Sequence, residues 1–285
     1  MSSRTWTIRD VLDWAAQDFE GRGIDSPRLD AELLVAEALG IDRVGLYLDL
    51  NRPLLEEERS AIRPLVLRRR EREPVAYILG RRDFFGRRFA VTPDVLIPRP
   101  DTETLVEQAL ALIPVDAPSH VLDVGPGSGA LALTIAAERP LAEVTATDVS
   151  AGALGVAARN AEALGVSERV SFEQVDLLDP SGRYDLIVSN PPYIPSRELE
   201  GLQPEVRDHE PRGALEAGGD GFDVIRALLT ASADAATEGA QLLIEVGAGQ
   251  APRVAELPEA KGRWSLVALH PDLNRVERVV HLRRI

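Results

Sequence analysis

From residue 119 onward the chain alternates short apolar runs with stretches of helical period, and few architectures accept that pattern. Strands are expected at 120–124, 143–147, 169–175, 184–189 and 241–246. Helices are expected at 128–138, 150–164 and 220–237, with a short one at 250–256. Gly165 closes the second of these helices, and Gly218-Gly219 forms the turn before the third. Apolar strands separated by helices read as a parallel sheet buried on both faces. Two last strands, at 264–269 and 276–282, add to it antiparallel at an edge. The expected fold is therefore α/β, on a seven-stranded, mostly parallel sheet. Such sheets bind ligands outside the carboxyl ends of their strands, so the residues at those ends carry the functional reading.

The first of these ends is Asp123-Val124-Gly125-Pro126-Gly127-Ser128-Gly129-Ala130. Its glycines permit a tight turn and a close backbone approach to a ligand. The helix behind them offers free N–H groups and a positive dipole end. Asp148 ends the second strand, where a carboxylate can accept hydrogen bonds from ribose hydroxyls. The loop also fits G-x-G-x-x-A, so a dinucleotide such as NAD is a rival ligand. Against it stand three carboxylates, Asp123, Asp148 and Asp176, each at a strand end on the same sheet edge. An acidic crevice suits the ammonium and sulfonium of S-adenosylmethionine better than a pyrophosphate. Asp123 is expected either to meet a ligand amino group or to cap its own loop.

The fourth strand ends in Ser189-Asn190-Pro191-Pro192-Tyr193. The prolines fix φ near −65° and remove two backbone donors, leaving the Asn190 and Pro191 carbonyls turned outward. Asn190 adds a side-chain carbonyl and amide. Tyr193 adds a flat ring. Together they suit a planar NH2 group, with two acceptors for its hydrogens and a surface for its face. A plain Asn-Pro turn is the alternative.

Ahead of the sheet lies a helical region. Helices are expected at 7–20, 26–39, 43–48 and 55–72, with one more turn at 74–79. Thr7 to Asp10 reads as a capping signal, Gly40 as a C-terminal stop and Pro64 as a kink. Ile8, Leu12, Ala15, Ala16 and Phe19 share one face of the first helix, and Leu29, Leu33, Leu34, Ala36 and Leu39 make the second apolar. Arg68-Arg69-Arg70 reads as a solvated helix face. Residues 81–92 read as a hairpin around Gly86, followed by the Pro-rich LIPRPDTE, in which Asp101 or Thr102 caps a helix running to 112. Three regions result: a helical domain at 1–80, a hairpin and linker at 81–100, and the sheet domain at 101–285. The helical domain is either a docking module for a protein substrate or a structural appendage.

Charge narrows the partners. Residues 1–90 carry 16 Arg against 16 acidic residues, so the net charge of −14 rests on residues 91–285. That disfavours a grip on a nucleic-acid backbone. There are no cysteines, no secretory signal pattern and no long apolar run, which together read as a cytoplasmic protein without a membrane segment. His209 and His270 stand alone and read as surface or structural residues; no metal-ligand spacing is present.

DVGPGSG, the Asp148 strand end and NPPY together resemble class I S-adenosylmethionine-dependent methyltransferases, of Rossmann-like fold, that act on planar amino or amide groups. YILGRRDFFGRRFAVTPDVLIPRPDTE at 77–103 and LLIEVGAGQ at 242–250 are more specific, and resemble the release-factor glutamine methyltransferases (PrmC, also called HemK). The likeness covers nearly the whole chain. It implies methyl transfer from S-adenosyl-L-methionine to the amide nitrogen of the Gly-Gly-Gln glutamine of peptide chain release factors, leaving S-adenosyl-L-homocysteine. The same chemistry on a ribosomal-protein Gln or on adenine N6 is the alternative. It further implies that Gly125, Pro126, Gly127, Ser128, Gly129, Asp148, Asp176 and Asn190 contact the cofactor. It implies too that Leu177, where the family often has an aromatic residue, would pack near the adenine. By the same likeness, Asn190, Pro191, Pro192 and Tyr193 would hold the substrate Gln. A monomer is expected.

Overall fold

The computed structural model describes residues 5–179, 181–257 and 259–285. They form two compact units. One holds the residues up to Gly80 together with Gln203–His209; the other holds Arg81–Leu202 and Glu210–Ile285.

The first unit is helical: α1 (Ile8–Gly21), α2 (Pro27–Leu39), α3 (Arg43–Leu48), α4 (Glu56–Arg70) and α5 (Val75–Leu79). A capping box starts α1, with Thr7 accepting from the Asp10 N–H and the Asp10 carboxylate accepting from the Thr7 N–H. Gly40 ends α2 in the left-handed region, and α4 runs through Pro64 without a break. Ile8, Leu12, Phe19, Leu34, Val35 and Ile62 form its core.

Two expectations change here. Leu29 is exposed, while Asp30 and Glu32 of the same helix are buried. Arg69 is buried too, and does not lie on a solvated face. It pairs with Asp30 at 2.8 Å and with Glu205 at 2.7 Å, and Arg72 reaches the second oxygen of Glu205 at 2.5 Å. Glu32 pairs with Arg28 at 2.9 Å and Arg43 at 2.7 Å. Charges inside this unit are tolerated because each has an opposite partner. The Glu205 pairs also explain why residues 203–209 group with the helical unit and not with the sheet that surrounds them in sequence.

The second unit opens with a hairpin, β1 (Arg81–Phe84) and β2 (Arg87–Ala90), turned by Phe85 and Gly86, both at positive φ. Next come α6 (Glu103–Leu112), β3 (Ser119–Val124), α7 (Ala130–Glu138), β4 (Ala142–Asp148), α8 (Ala151–Leu164), β5 (Val170–Gln174) and β6 (Tyr184–Ser189). The one-turn α9 (Pro204–Arg207) belongs to the first unit. The chain ends with α10 (Asp223–Ala235), β7 (Ala236–Glu245), α11 (Ala251–Val254), β8 (Trp264–Pro271) and β9 (Glu277–Arg284).

The seven sheet strands lie in the order β5-β4-β3-β6-β7-β9-β8, parallel through β7 and antiparallel at β9 and β8. Alternate residues serve two cores. Val121, Leu186, Val188 and Leu243 face one, with α6 and α7; Leu122, Ile187, Leu242 and Ile244 face the other, with α10 and α11. This is why the strands read as continuous apolar runs. The chain order reverses between β3 and β6, and a ligand crevice belongs at that reversal.

β5 stops at Gln174, so Asp176 lies on an exposed turn beyond the strand. Thr102 does not cap α6 with its side chain.

Candidate active site at the sheet reversal

β3 and β6 run side by side, with Val124 opposite Ser189. The Ser189 hydroxyl donates to the Val124 carbonyl at 2.7 Å, which locks the two strand ends together. The next residues are Gly125 and Asn190. The sheet thus brings the two stretches singled out in sequence to one place, though 65 positions separate them.

There they line a cavity of about 450 Å³, inside the usual range of small-molecule sites, roughly 300–1,000 Å³. One wall is backbone. Gly125, Pro126, Gly127 and Ser128 line it, with Ala130 and Asp148. Gly125 has φ +76° and Gly127 φ +55°, and a Cβ on either would meet nothing within 4 Å. Space is therefore left for a ligand where side chains would otherwise project. The Asp148 carboxylate accepts from the Ser150 N–H at 2.9 Å and the Gly127 N–H at 3.4 Å. Burial raises its pKa, opposed by these backbone donors. Asn160 on α8 ties the loop down from below, donating to the Ser128 carbonyl at 2.8 Å while its oxygen accepts from the Ala90 N–H of the hairpin.

Asp123 has a different place from the ligand-facing one. It is fully buried, absent from the cavity wall, and accepts from the Ala132 N–H at 3.0 Å. It caps the helix behind the loop. Its Oδ1 has no hydrogen-bond partner, and burial pushes its pKa up to about 7. Two carboxylates of the expected three, Asp148 and Asp176, reach the cavity. Gly129 also stays outside the wall; a Cβ there would strike Leu133 Cδ1 at 2.8 Å, so this glycine serves helix packing. Leu177 does line the cavity, at φ +63°, with its carbonyl accepting from the buried Thr147 hydroxyl.

The opposite wall holds Asn190, Pro191 and Pro192, with Pro98, Arg99 and Thr102 from the LIPRP segment. Asn190 Nδ2 donates to Thr102 Oγ1 at 3.3 Å. Arg99 forms an ion pair with the buried Glu210, whose other oxygen accepts from the Ile97 N–H at 3.4 Å. Tyr193 lies behind this wall; its carbonyl accepts from Gln250 Nε2 at 3.0 Å. Burial pushes the Tyr193 phenol up to about 12, so it stays protonated. Thr102, Glu210 and Gln250 were not singled out as site residues, although all but Glu210 fall in the stretches LIPRPDTE and LLIEVGAGQ.

His209 Nε2 donates to the Glu71 carbonyl at 3.2 Å, and His270 stacks on His281. Among the described residues, no group of three or more His, Cys, Asp or Glu side chains is placed to hold a metal ion. No helix among them is long and apolar enough to cross a membrane.

Comparison with known proteins agrees with this geometry. Residues 10–80 match the PrmC N-terminal domain, and residues 102–245 match the methyltransferase small domain. The chain is 47% identical to the release factor glutamine methyltransferase of Geobacter sulfurreducens, over 96% of each chain. It is 42% identical to the protein of that name from Rhodopirellula baltica, over 98% of this chain and 97% of the other. A methyltransferase structure from Pyrococcus furiosus shares the fold, with TM-score 0.52 and 17% identity over 70% of this chain and 90% of that one. The glycine-walled cavity, the Asn-Pro-Pro wall facing it and these full-length likenesses lead to one assignment: the chain belongs to the release factor glutamine methyltransferase family.

Proposed function

We propose that this chain transfers a methyl group from S-adenosyl-L-methionine to the side-chain amide nitrogen of the Gly-Gly-Gln glutamine of peptide chain release factors, releasing S-adenosyl-L-homocysteine. The observation that carries this reading is the shared cavity: a bare backbone wall with a ribose-ready carboxylate on one side, Asn190 and Pro191 on the other. The cofactor supplies a methyl on a sulfonium, which a nucleophile displaces in line.

Gly125, Pro126, Gly127 and Ser128 give the cofactor its backbone cradle, and Asp148 accepts from its ribose. Asp176 and Leu177 border the adenine end. Gly129 supports the cradle through its packing. The glutamine nitrogen is a poor nucleophile, because its lone pair is delocalised into the carbonyl. Asn190 Oδ1 and the Pro191 carbonyl accept its two hydrogens, which aims the nitrogen and stabilises the positive charge developing on it. Pro192 keeps the clamp rigid, and Tyr193 supports it through the Gln250 bond to its carbonyl. Orientation of this kind can lower a barrier by about 7–11 kcal/mol.

The helical unit is the docking module for the release factor. The net charge of −14 argues against a nucleic-acid substrate. The enzyme acts as a monomer in the cytoplasm, where its substrate works. The test is methyl transfer from labelled S-adenosylmethionine to a purified release factor and to the same factor with that glutamine changed to Ala. Label in the first alone is the expected result. Label in both, or in neither while the cofactor binds, refutes the reading.

A further inference from the structure

Behind Asn190 lie two polar residues, Thr102 and Glu245, that the clamp itself does not require. The pairing of Ser189 with Ile244 places Asn190 beside Glu245, the last residue of β7. Glu245 is buried, at 2% exposed, and its Oε2 has no hydrogen-bond partner. The Thr102 hydroxyl lies close enough to act on this carboxylate as a donor, opposing the rise in its pKa that burial causes. The Thr102 oxygen in turn accepts from Asn190 Nδ2 at 3.3 Å.

The hydrogens between these side chains can run only one way. An ionised carboxylate has no hydrogen to give, so the Thr102 hydroxyl must donate to Glu245. Its single O–H is then committed. Only lone pairs remain toward Asn190, and only an NH2 can satisfy them. The Asn190 amide is thereby held with Nδ2 toward Thr102 and Oδ1 turned away, free to accept. A flipped amide would set two acceptors against each other and present NH2 to a substrate NH2. We propose that Thr102 and Glu245 are positioning residues, a relay that fixes the orientation of the Asn190 amide so that its oxygen meets the substrate nitrogen. The inference rests on the clamp reading above.

A buried carboxylate with one oxygen left without a hydrogen-bond partner is costly, and an apolar residue would pack this position without that cost. An acceptor that cannot donate is what the relay needs. The charged and titratable groups around Glu245 are Arg278 on β9, Asp101 and Arg99 ahead of α6, and Tyr193. Arg278 is itself held by Asp101 at 3.2 Å and Asp272 at 3.1 Å. Burial outweighs the two arginines and raises the Glu245 carboxyl to about 7. Protonated Glu245 can donate to Thr102, which frees the threonine hydroxyl to donate to Asn190 and releases the lock. Activity should therefore fall as pH drops through the Glu245 titration.

The test compares wild type with Thr102→Val, Thr102→Ser, Glu245→Gln and Asn190→Ala, using methyl transfer to a purified release factor, cofactor affinity and Tm. Thr102→Val should lose roughly 10- to 100-fold in kcat while keeping cofactor affinity and Tm. Thr102→Ser, which restores the hydroxyl, should recover most of that loss. Glu245→Gln should be slower than wild type at high pH and lack the acidic limb near pH 7. Thr102→Val at the wild-type rate, or Thr102→Ser as slow as Thr102→Val, overturns the relay. So does an unchanged acidic limb in Glu245→Gln. With Asn190→Ala inactive, those results leave the clamp standing; Asn190→Ala at the wild-type rate removes the clamp and the relay together.

Discussion

The two walls of the cavity are built by opposite means. The wall proposed for the cofactor has a local centre: the loop between β3 and α7 lines it, and Gly125 and Gly127 leave open space where a side chain would project. The acceptor wall is assembled from afar. Asn190 ends β6, Thr102 precedes α6, Glu245 ends β7, and Gln250 starts α11. A cofactor laid along such a wall can be met by backbone and open space. A single amide nitrogen must be met by directed acceptors, and direction needs side chains that support one another.

Five substitutions test this contrast, in order of decreasing expected effect. Asn190→Ala should cut kcat by roughly 100- to 1,000-fold and leave cofactor affinity near wild type, read by single-turnover transfer and calorimetry. A parallel loss of cofactor binding would show that the two walls are not separable.

Asp123→Asn probes the buried support of the local wall. The Asp123 pKa is raised to about 7 in the folded state, from about 3.9 unfolded. A raised acid binds its proton more tightly when folded. Its stabilising contribution is therefore full below the unfolded pKa and is lost as pH rises toward the folded one. Above pH 7 the substitution should stabilise the protein by about 4 kcal/mol, less whatever the unpartnered amide costs. Urea midpoints on both sides of that range check the sign; equal midpoint changes at low and high pH would refute it.

The loop glycines should separate by consequence. Gly129→Ala forces a Cβ to 2.8 Å from Leu133 at φ +84°, and should cost about 2 kcal/mol in stability. Gly127→Ala meets open space, so Tm should fall less while cofactor affinity falls more. Equal Tm losses and equal affinities would remove the distinction between cradle and packing glycine. Last, Asp148→Asn should weaken the cofactor about tenfold, the loss of one charge-assisted hydrogen bond, with kcat at saturation close to wild type.

Much of this site was legible in one dimension. The glycines of the loop, the Asp148 strand end and Asn-Pro-Pro-Tyr are contiguous signals, because a tight turn and a proline-fixed segment leave marks in adjacent residues. Thr102 left a misleading mark. Asp101 or Thr102 read as the cap of α6, but Thr102 makes no side-chain cap bond and its hydroxyl oxygen accepts from Asn190. Asp123 left an ambiguous one, because an acid at a strand end reads alike whether it faces a ligand or a helix.

The sequence alone determined the alternation of strands and helices, the antiparallel edge and the two strand ends that line the cavity, since these follow from local periodicity and turn chemistry. Only the tertiary structure decided which acids reach the cavity and which lie beneath it. It also decided that Arg69 is an internal ion-pair partner and not a surface charge, and that Glu245 stands behind Asn190. Burial and pairing depend on which distant segments come together, and strand order carries that information without leaving any local trace.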